Sequence, residues 1–404
     1  MSAIEKMRID RPRTGAPGLP RVVFLARSLQ QGGAERQLVA LASGLHRRGW
    51  PVSVVCFYGG GTFQKELEGA GVPLIDLHKR GRWDIFGFSW RLWRVLRKAD
   101  ADIVHGYLPV ANMLTLVVRF ARRRTRVIWG VRSSFIDRGR RDWLSRASFR
   151  LSCRLARFAD SIIANSEAGA AYHAALGYPA ARIRVVHNGI DTQRFRFDAV
   201  GRDRLRQVWN VSGDSVLIGL VGRVEPMKDH STFLRMAALL ATGDPRWRFV
   251  CVGGGKPDFI RATRAEVEQL GLHERVIWAG PQDDMAAVYS ALDVVVSTSY
   301  GEGFSNVIAE AMACGRPCVV TRVGDSAAIA GDAGIAVPPR DAEALCEAVI
   351  RMHERLLAER QALAQSARLR IVEQFGIDHL IEQTETALHA LLRGEPLEEE
   401  AVAS

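Results

Sequence analysis

Long apolar runs are missing from this chain. Met113-Leu114-Thr115-Leu116-Val117-Val118 and Ser161-Ile162-Ile163-Ala164 are typical of those it has. Neither approaches the roughly 18 to 20 residues that cross a bilayer as a helix. An apolar leader core is missing too: the first twenty residues are polar, basic and proline-containing. Residues 1–20 are therefore expected to be a disordered lead-in to a cytoplasmic chain. Cysteine is sparse. Cys56, Cys153, Cys251, Cys314, Cys318 and Cys346 are scattered, mostly among apolar residues, where a thiol behaves as a small hydrophobe. Cys314 and Cys318 are four apart with no second pair, which argues against zinc, and the usage fits a reducing compartment. Low-complexity segments and short-period repeats are absent.

What is present is apolar residue in quantity. Nearly half of the 404 residues are hydrophobic, enough for two cores and too much chain for one ordinary core. The formal net charge of +11 is unevenly held. Residues 1–190 carry 32 Lys and Arg against 13 Asp and Glu, a net of +19, and the remainder is −8. A basic first half favours an anionic partner: a membrane surface, a nucleic acid or a phosphorylated substrate.

Short β-branched runs alternate with amphipathic helical stretches. Strands are expected at 21–26, 52–57, 102–105, 126–131, 161–164 and 183–187, with a helix over 34–48 after the first. The pattern breaks at Asn188-Gly189-Ile190-Asp191 and an arginine-rich segment follows. It then restarts, with strands expected at 216–221, 248–252, 275–278 and 293–297. Continuous apolar strands between helices indicate parallel sheets covered on both faces. The expected fold is α/β: two tandem Rossmann-like, doubly wound domains facing each other, with ligand in the cleft at the strand carboxyl ends. The domains are placed at 21–195 and 196–377, with an acidic tail at 395–404.

The strongest local signal is Glu302-Gly303-Phe304-Ser305-Asn306-Val307-Ile308-Ala309-Glu310. Glu310 lies in an apolar run, and a buried carboxylate costs several kcal/mol unless it is paired. A ligand hydroxyl is one candidate partner and a buried arginine another. Ser305, Asn306 and Val307 are expected to form a first helical turn whose amides meet an anion. Gly222-Arg223-Val224-Glu225-Pro226-Met227-Lys228 follows a strand, which favours Arg223 and Lys228 as holders of a diphosphate over a solvated loop with surface charges. Gly32 and Gly33 open a helix after the first strand and read either as an ordinary glycine turn or as an anion site, although the dinucleotide fingerprint is absent there. Gly253-Gly254-Gly255 reads equally as a phosphate cradle or a plain turn. His105 is expected to end its strand, as a hydrogen-bond donor or base or as a structural residue. The stretches 82–98, 122–124 and 143–158 mix aromatic and basic residues. Either they meet an anionic membrane, or the rings pack on the sheet and the arginines face water. No RNA-recognition motif is visible, so no nucleic acid is expected.

Together, Gly32-Gly33-Ala34-Glu35, Asn188-Gly189-Ile190-Asp191, Gly222-Arg223 with Lys228, and the two-glutamate segment with Ala311-Met312-Ala313-Cys314-Gly315-Arg316-Pro317 resemble the retaining glycosyltransferases of family four. The resemblance runs from about Arg21 to Leu392. It implies the two-domain GT-B fold and a nucleotide-sugar donor held by the second domain. It also implies that Arg223 and Lys228 bind the diphosphate and stabilise the leaving group, that Glu310 binds the ribose and Glu302 the donor sugar, and that Gly33 lies near the phosphates. No metal or cofactor is implied. The last helix, about 378–394, is expected to return to the first domain. One departure is plain. Where many members carry His-x-His, this chain has His105-Gly106-Tyr107, and tyrosine is a poor base at neutral pH. The resemblance implies retaining transfer of a hexose or N-acetylhexosamine to a glycan or lipid-linked acceptor in cell-surface polysaccharide synthesis. Tyr107 leaves a second reading open, a non-catalytic sugar-nucleotide-binding scaffold.

Overall fold

In a computed structural model, residues 18–30, 32–81, 83–132 and 143–395 are described. Arg82 of the basic-aromatic run, most of the lead-in and most of the acidic tail lie outside them. Two compact units are formed. One ends at Gly189 and takes up the chain again from Leu380; the other is Ile190–His379.

The strands of the first unit are β1 (Val22–Ala26), β2 (Val52–Cys56), β3 (Leu74–Asp76), β4 (Ile103–Tyr107), β5 (Arg126–Val131), β6 (Ser161–Ala164) and β7 (Ile183–Val185). Those of the second are β8 (Val216–Val221), β9 (Trp247–Val252), β10 (Val276–Gly280), β11 (Val294–Ser297), β12 (Cys318–Thr321) and β13 (Gly334–Val337). The sheet orders are β3-β2-β1-β4-β5-β6-β7 and β10-β9-β8-β11-β12-β13. Every pairing is parallel. In each sheet the order reverses once, between β1 and β4 and between β8 and β11. The loops after those strands diverge there, leaving the crevice in which such folds bind ligands.

The strands are apolar because helices cover them. All five residues of β1 and all six of β8 are buried. The helix Phe86–Ala99 turns Phe88, Leu92, Val95, Leu96 and Ala99 inward at spacings of three and four. The second core is built on Ile218, Leu220, Phe233, Phe249, Val295, Ile308 and Val319. Sequence reading overlooked β3, β12 and β13, which are only three or four residues long.

The division between the units comes earlier than the expected 195/196. Ile190 already belongs to the second unit: its amide donates to Phe375 O at 2.8 Å, and Ile377 N donates to Ile190 O at 3.0 Å. From Leu380 onward the helix Ile377–Arg393 packs on the first unit. Arg48 reaches Glu385 at 2.7 Å and Glu382 at 3.2 Å, and the indole N–H of Trp50 donates to Glu385 Oε1 at 2.7 Å. Trp50 is buried, so its N–H has no water to fall back on. Glu385→Ala should lower the stability of the first unit by about 1–3 kcal/mol, read as the urea midpoint of the tryptophan signal. An unchanged midpoint would show that Trp50 is not held by this bond.

Candidate active site

In the second unit the residues singled out in the sequence meet at the switch point. After β8 the chain turns through Gly222 and Arg223 into a short 3-10 turn, Pro226–Lys228. After β11 it runs through Thr298, Ser299 and Tyr300 to Glu302. The two loops are stitched together: Thr298 Oγ1 donates to Lys228 O at 2.7 Å, and Tyr300 N to Met227 O at 3.1 Å. Lys228 Nζ forms an ion pair with Glu302 Oε1, which also accepts from Ser299 Oγ at 2.8 Å. Both charged side chains are largely buried. Arg223 stands apart, its side chain 76% exposed and its guanidinium 3.1 Å from Glu225 Oε1.

The helix Asn306–Ala313 starts one residue later than expected, with Ser305 as its N-cap. Ser305 makes no side-chain cap bond, so the N-terminal turn containing Asn306 and Val307 is not closed by its own cap. Glu310 is 4% exposed. Its Oε2 accepts from the buried Tyr289 hydroxyl at 2.8 Å, so the partner demanded by burial is a phenol. Tyr289 sits on the preceding helix, Met285–Ala291, and was not anticipated.

Two glycines show how closely the strand-end loops approach. A Cβ on Gly253, at φ +138°, would lie 2.0 Å from Gly222 O. Val224 N donates to Gly254 O at 2.8 Å. Of the two readings of Gly253-Gly254-Gly255, the structure favours a packed turn against the Arg223 loop. Gly324 follows β12 at φ +55°, and a Cβ there would lie 2.3 Å from Glu302 O and 2.5 Å from Gly303 O. Asp325 N donates to Gly303 O at 3.1 Å. Gly324 thus props the Glu302 loop from beneath.

In the first unit, the helix Gly33–Arg47 has Gly32 as N-cap. The carboxylate of Glu35 lies over it, with Oε2 2.2 Å from where a Gly32 Cβ would sit. The anion over the Gly32-Gly33 turn is thus the chain's own. Gln37 on this helix exchanges two 2.9 Å bonds with the peptide of Gly189, which anchors the Asn188-Gly189 motif.

His105 does not end its strand. β4 continues to Tyr107, with Phe24 and Ile128 facing His105 in the ladder. The imidazole is fully buried, its ring 5.3 Å from that of Phe24 and 5.0 Å from that of Tyr107. Neither ring nitrogen has a hydrogen-bond partner among the described residues. Burial first, and then the nearby Arg132 guanidinium, hold His105 well below its ordinary pKa. It therefore stays neutral through the physiological range. The residue at the strand end is Tyr107, whose hydroxyl accepts from Arg132 Nη2 at 2.7 Å. Arg132 also donates to Asn188 Oδ1 at 3.0 Å and lies 4.5 Å over the Tyr107 ring. Leu108 follows at φ 73°, ψ 159°, a conformation that costs a non-glycine residue of order 1–3 kcal/mol. Arg132 carried no sequence signal beyond its place after β5.

Two outcomes follow. Gly324→Ala should displace the Glu302 loop and lower activity at least tenfold while the far-ultraviolet spectrum stays native; unchanged kinetics would show that the loop tolerates the methyl. His230, beside Lys228, is buried and its pKa is pushed down to about 4, by burial and then by Lys228. The unfolded chain, with an ordinary value near 6.5, binds the extra proton first. Stability is therefore lost as pH falls from 6.5 to about 4, by about 3 kcal/mol from this residue, and levels off below. His173 and His105 are lowered too and act with the same sign. His230→Gln should flatten that window in pH-dependent melting, and an unaltered slope would refute the assignment.

Comparison with known proteins places the chain. Residues 31–194 match the model described as Glycosyltransferase Family 4, and residues 215–355 match that of the glycosyl transferases group 1. Together they span about three-quarters of the sequence. A D-inositol 3-phosphate glycosyltransferase of Saccharomonospora viridis is 33% identical over 207 residues, 48% of this chain and 47% of that one. The one from Mycolicibacterium smegmatis is 35% identical over 175 residues, 41% of this chain and 38% of its own. The match thus spans half or less of these relatives. The Anabaena Alr3699/HepE structure in complex with UDP superposes with a TM-score of 0.80 at 23% identity, over 92% of this chain and all of that one. Sucrose-phosphate synthase from Thermosynechococcus elongatus gives 0.78 at 21%, over 93% of this chain and all of its own. These likenesses show the fold, two Rossmann-like units of GT-B type, and with the two matching halves the chain belongs to glycosyltransferase family four.

Proposed function

We propose that this protein is a retaining glycosyltransferase that moves a hexose or N-acetylhexosamine from a nucleotide-sugar to a glycan or lipid-linked acceptor of cell-surface polysaccharide synthesis, working at the inner face of the membrane. The observation that carries the reading is the Lys228–Glu302 pair, with Ser299, at the switch point of the second sheet. It lies in the loops that the Asn306–Ala313 helix follows. A diphosphate brought to this point meets Lys228, the exposed Arg223 and the first-turn amides of Asn306 and Val307. Positive charge and amide dipoles aimed at the leaving group are worth most where water is excluded. Glu302, relieved of Lys228 by the phosphates, is placed to accept hydroxyls of the donor sugar. Glu310, its carboxylate steadied by Tyr289, is placed to accept from the ribose.

The reaction breaks the bond between the anomeric carbon and the leaving phosphate oxygen and forms one to the acceptor oxygen on the same face. The leaving phosphate takes the acceptor's proton, so no protein base is required. This suits His105, whose buried, neutral ring is a packing and positioning element rather than a proton carrier. Tyr107 and Arg132, fixed to one another, are the polar groups that β4 and β5 present at their carboxyl ends.

UDP-sugars are the first donors to test, because structures of the same fold were solved with UDP and with UDP-glucose. Thermal shift with UDP-, GDP- and ADP-sugars should single out one base that stabilises the wild type. At a hundredfold excess over Kd the gain is about 2.7 kcal/mol, and Arg223→Ala should lose most of it. Glu302→Gln should lower kcat/KM a hundredfold or more, as removal of a transition-state contact does. Donor binding with no transfer or hydrolysis would favour the scaffold reading, and no shift with any donor would overturn both.

A further inference from the structure

We propose that the outer face of the helix Phe86–Ala99, with the turn after Val118–Ala121, is a docking surface for an anionic lipid bilayer. The inference rests on the reading above that the enzyme works at a membrane. Inward-facing residues do not account for the helix's composition, since Phe88, Leu92, Val95, Leu96 and Ala99 already fill its core side. Large apolar groups also stand on the other side. Phe86 is 91% exposed, Trp83 84%, and Ile85 and Trp90 are each more than half exposed. Phe86 and Trp90 are four apart and so share one stripe.

Basic residues continue that stripe. Arg94 lies 5.2 Å over the Trp90 ring and Arg97 5.1 Å over Trp93. The short helix Val118–Ala121 packs against the long one. It carries Phe120, 88% exposed, and leads into exposed Arg122, Arg123 and Arg124. Arg122 pairs with Asp100 at the far end of the long helix. The surface therefore extends along the whole 14-residue helix, about 20 Å. Three neighbouring carboxylates are each matched by an arginine, which leaves Arg94, Arg97, Lys98, Arg123 and Arg124 to carry the net positive charge. Asp84 is bridged to Arg91, Asp100 to Arg122 and Asp160 to Arg119.

The chemistry selects the occupant. Tryptophan and phenylalanine beside arginine suit the headgroup region, where rings enter the acyl boundary and each cation near the surface adds about 1 kcal/mol toward anionic lipid. A second copy of this chain would bring the same cations face to face. RNA would need a flat platform of rings for stacked bases, whereas here the rings stand at helical spacing and Trp90 and Trp93 are covered by their own arginines.

Co-sedimentation of the full-length protein with phosphatidylcholine vesicles, with and without 30% phosphatidylglycerol, tests the surface. Binding is expected only with the anionic lipid, and should weaken as salt rises. Phe86→Ser/Trp90→Ser and Arg123→Gln/Arg124→Gln should each weaken it at least tenfold, with melting temperature and donor thermal shift unchanged. Equal binding to neutral vesicles, or full binding by either double variant, would overturn the proposal. So would a fall in molar mass of the Phe86→Ser/Trp90→Ser variant, which would assign the face to self-association. Salt-sensitive RNA binding lost in the same variants, with no vesicle binding, would assign it to nucleic acid. If vesicle binding behaves as expected but no donor stabilises the protein, the surface stands and the transferase reading falls.

Discussion

Parallel pairing is the constraint on which the rest depends. When every strand in a sheet runs the same way, every strand delivers its carboxyl end to the same edge, and residues far apart in sequence meet there. Lys228 and Glu302 are 74 residues apart and become partners because β8 and β11 are neighbours in the sheet. The same geometry sets Tyr107 at the end of β4 beside Arg132 after β5. Helical coverage of both faces is what permits strands apolar enough to pair this way.

At the edge of the second sheet the charged side chains already have partners within the protein. Lys228 is held by Glu302, and Glu310 by Tyr289. A half-buried ion pair stores little net stability, because desolvation offsets attraction, but stripping one member leaves the other exposed to the full penalty. Such a pair keeps both side chains ordered. Arg223, by contrast, is exposed and, among the described residues, pairs with Glu225 at the surface, so it can swing at small cost.

The sequence carried the long elements and the charged residues well. Runs such as Val216–Val221 and Arg126–Val131 are both β-branched and bounded by turns, and they form the strands expected. Glu302 and Glu310 stood out because a carboxylate among aliphatic residues demands an explanation. What could not be read were the partners. Tyr289 lies 21 residues before Glu310, and Gly324 touches Glu302 only through the β11–β12 neighbourhood. Neither relation has a local signature. His105 shows a different failure. Moving the end of β4 by two residues turns a candidate strand-end group into a buried one, because strand ends are set by ladder partners rather than by the residues themselves. The three-residue run Leu74–Asp76 is too short for alternation to register at all.

The first unit is discontinuous in the chain: Arg48 and Trp50 find Glu382 and Glu385 more than 330 residues later. The second unit has no such dependence, since it is one continuous stretch. Order of synthesis and order of completion therefore differ. The part made first must wait, with the polar edge of Trp50 and the groove beside Gly44 uncovered, until the helix Ile377–Arg393 leaves the ribosome, while the part made second can finish before it. Truncation before Glu382 would accordingly strike the part of the protein made first.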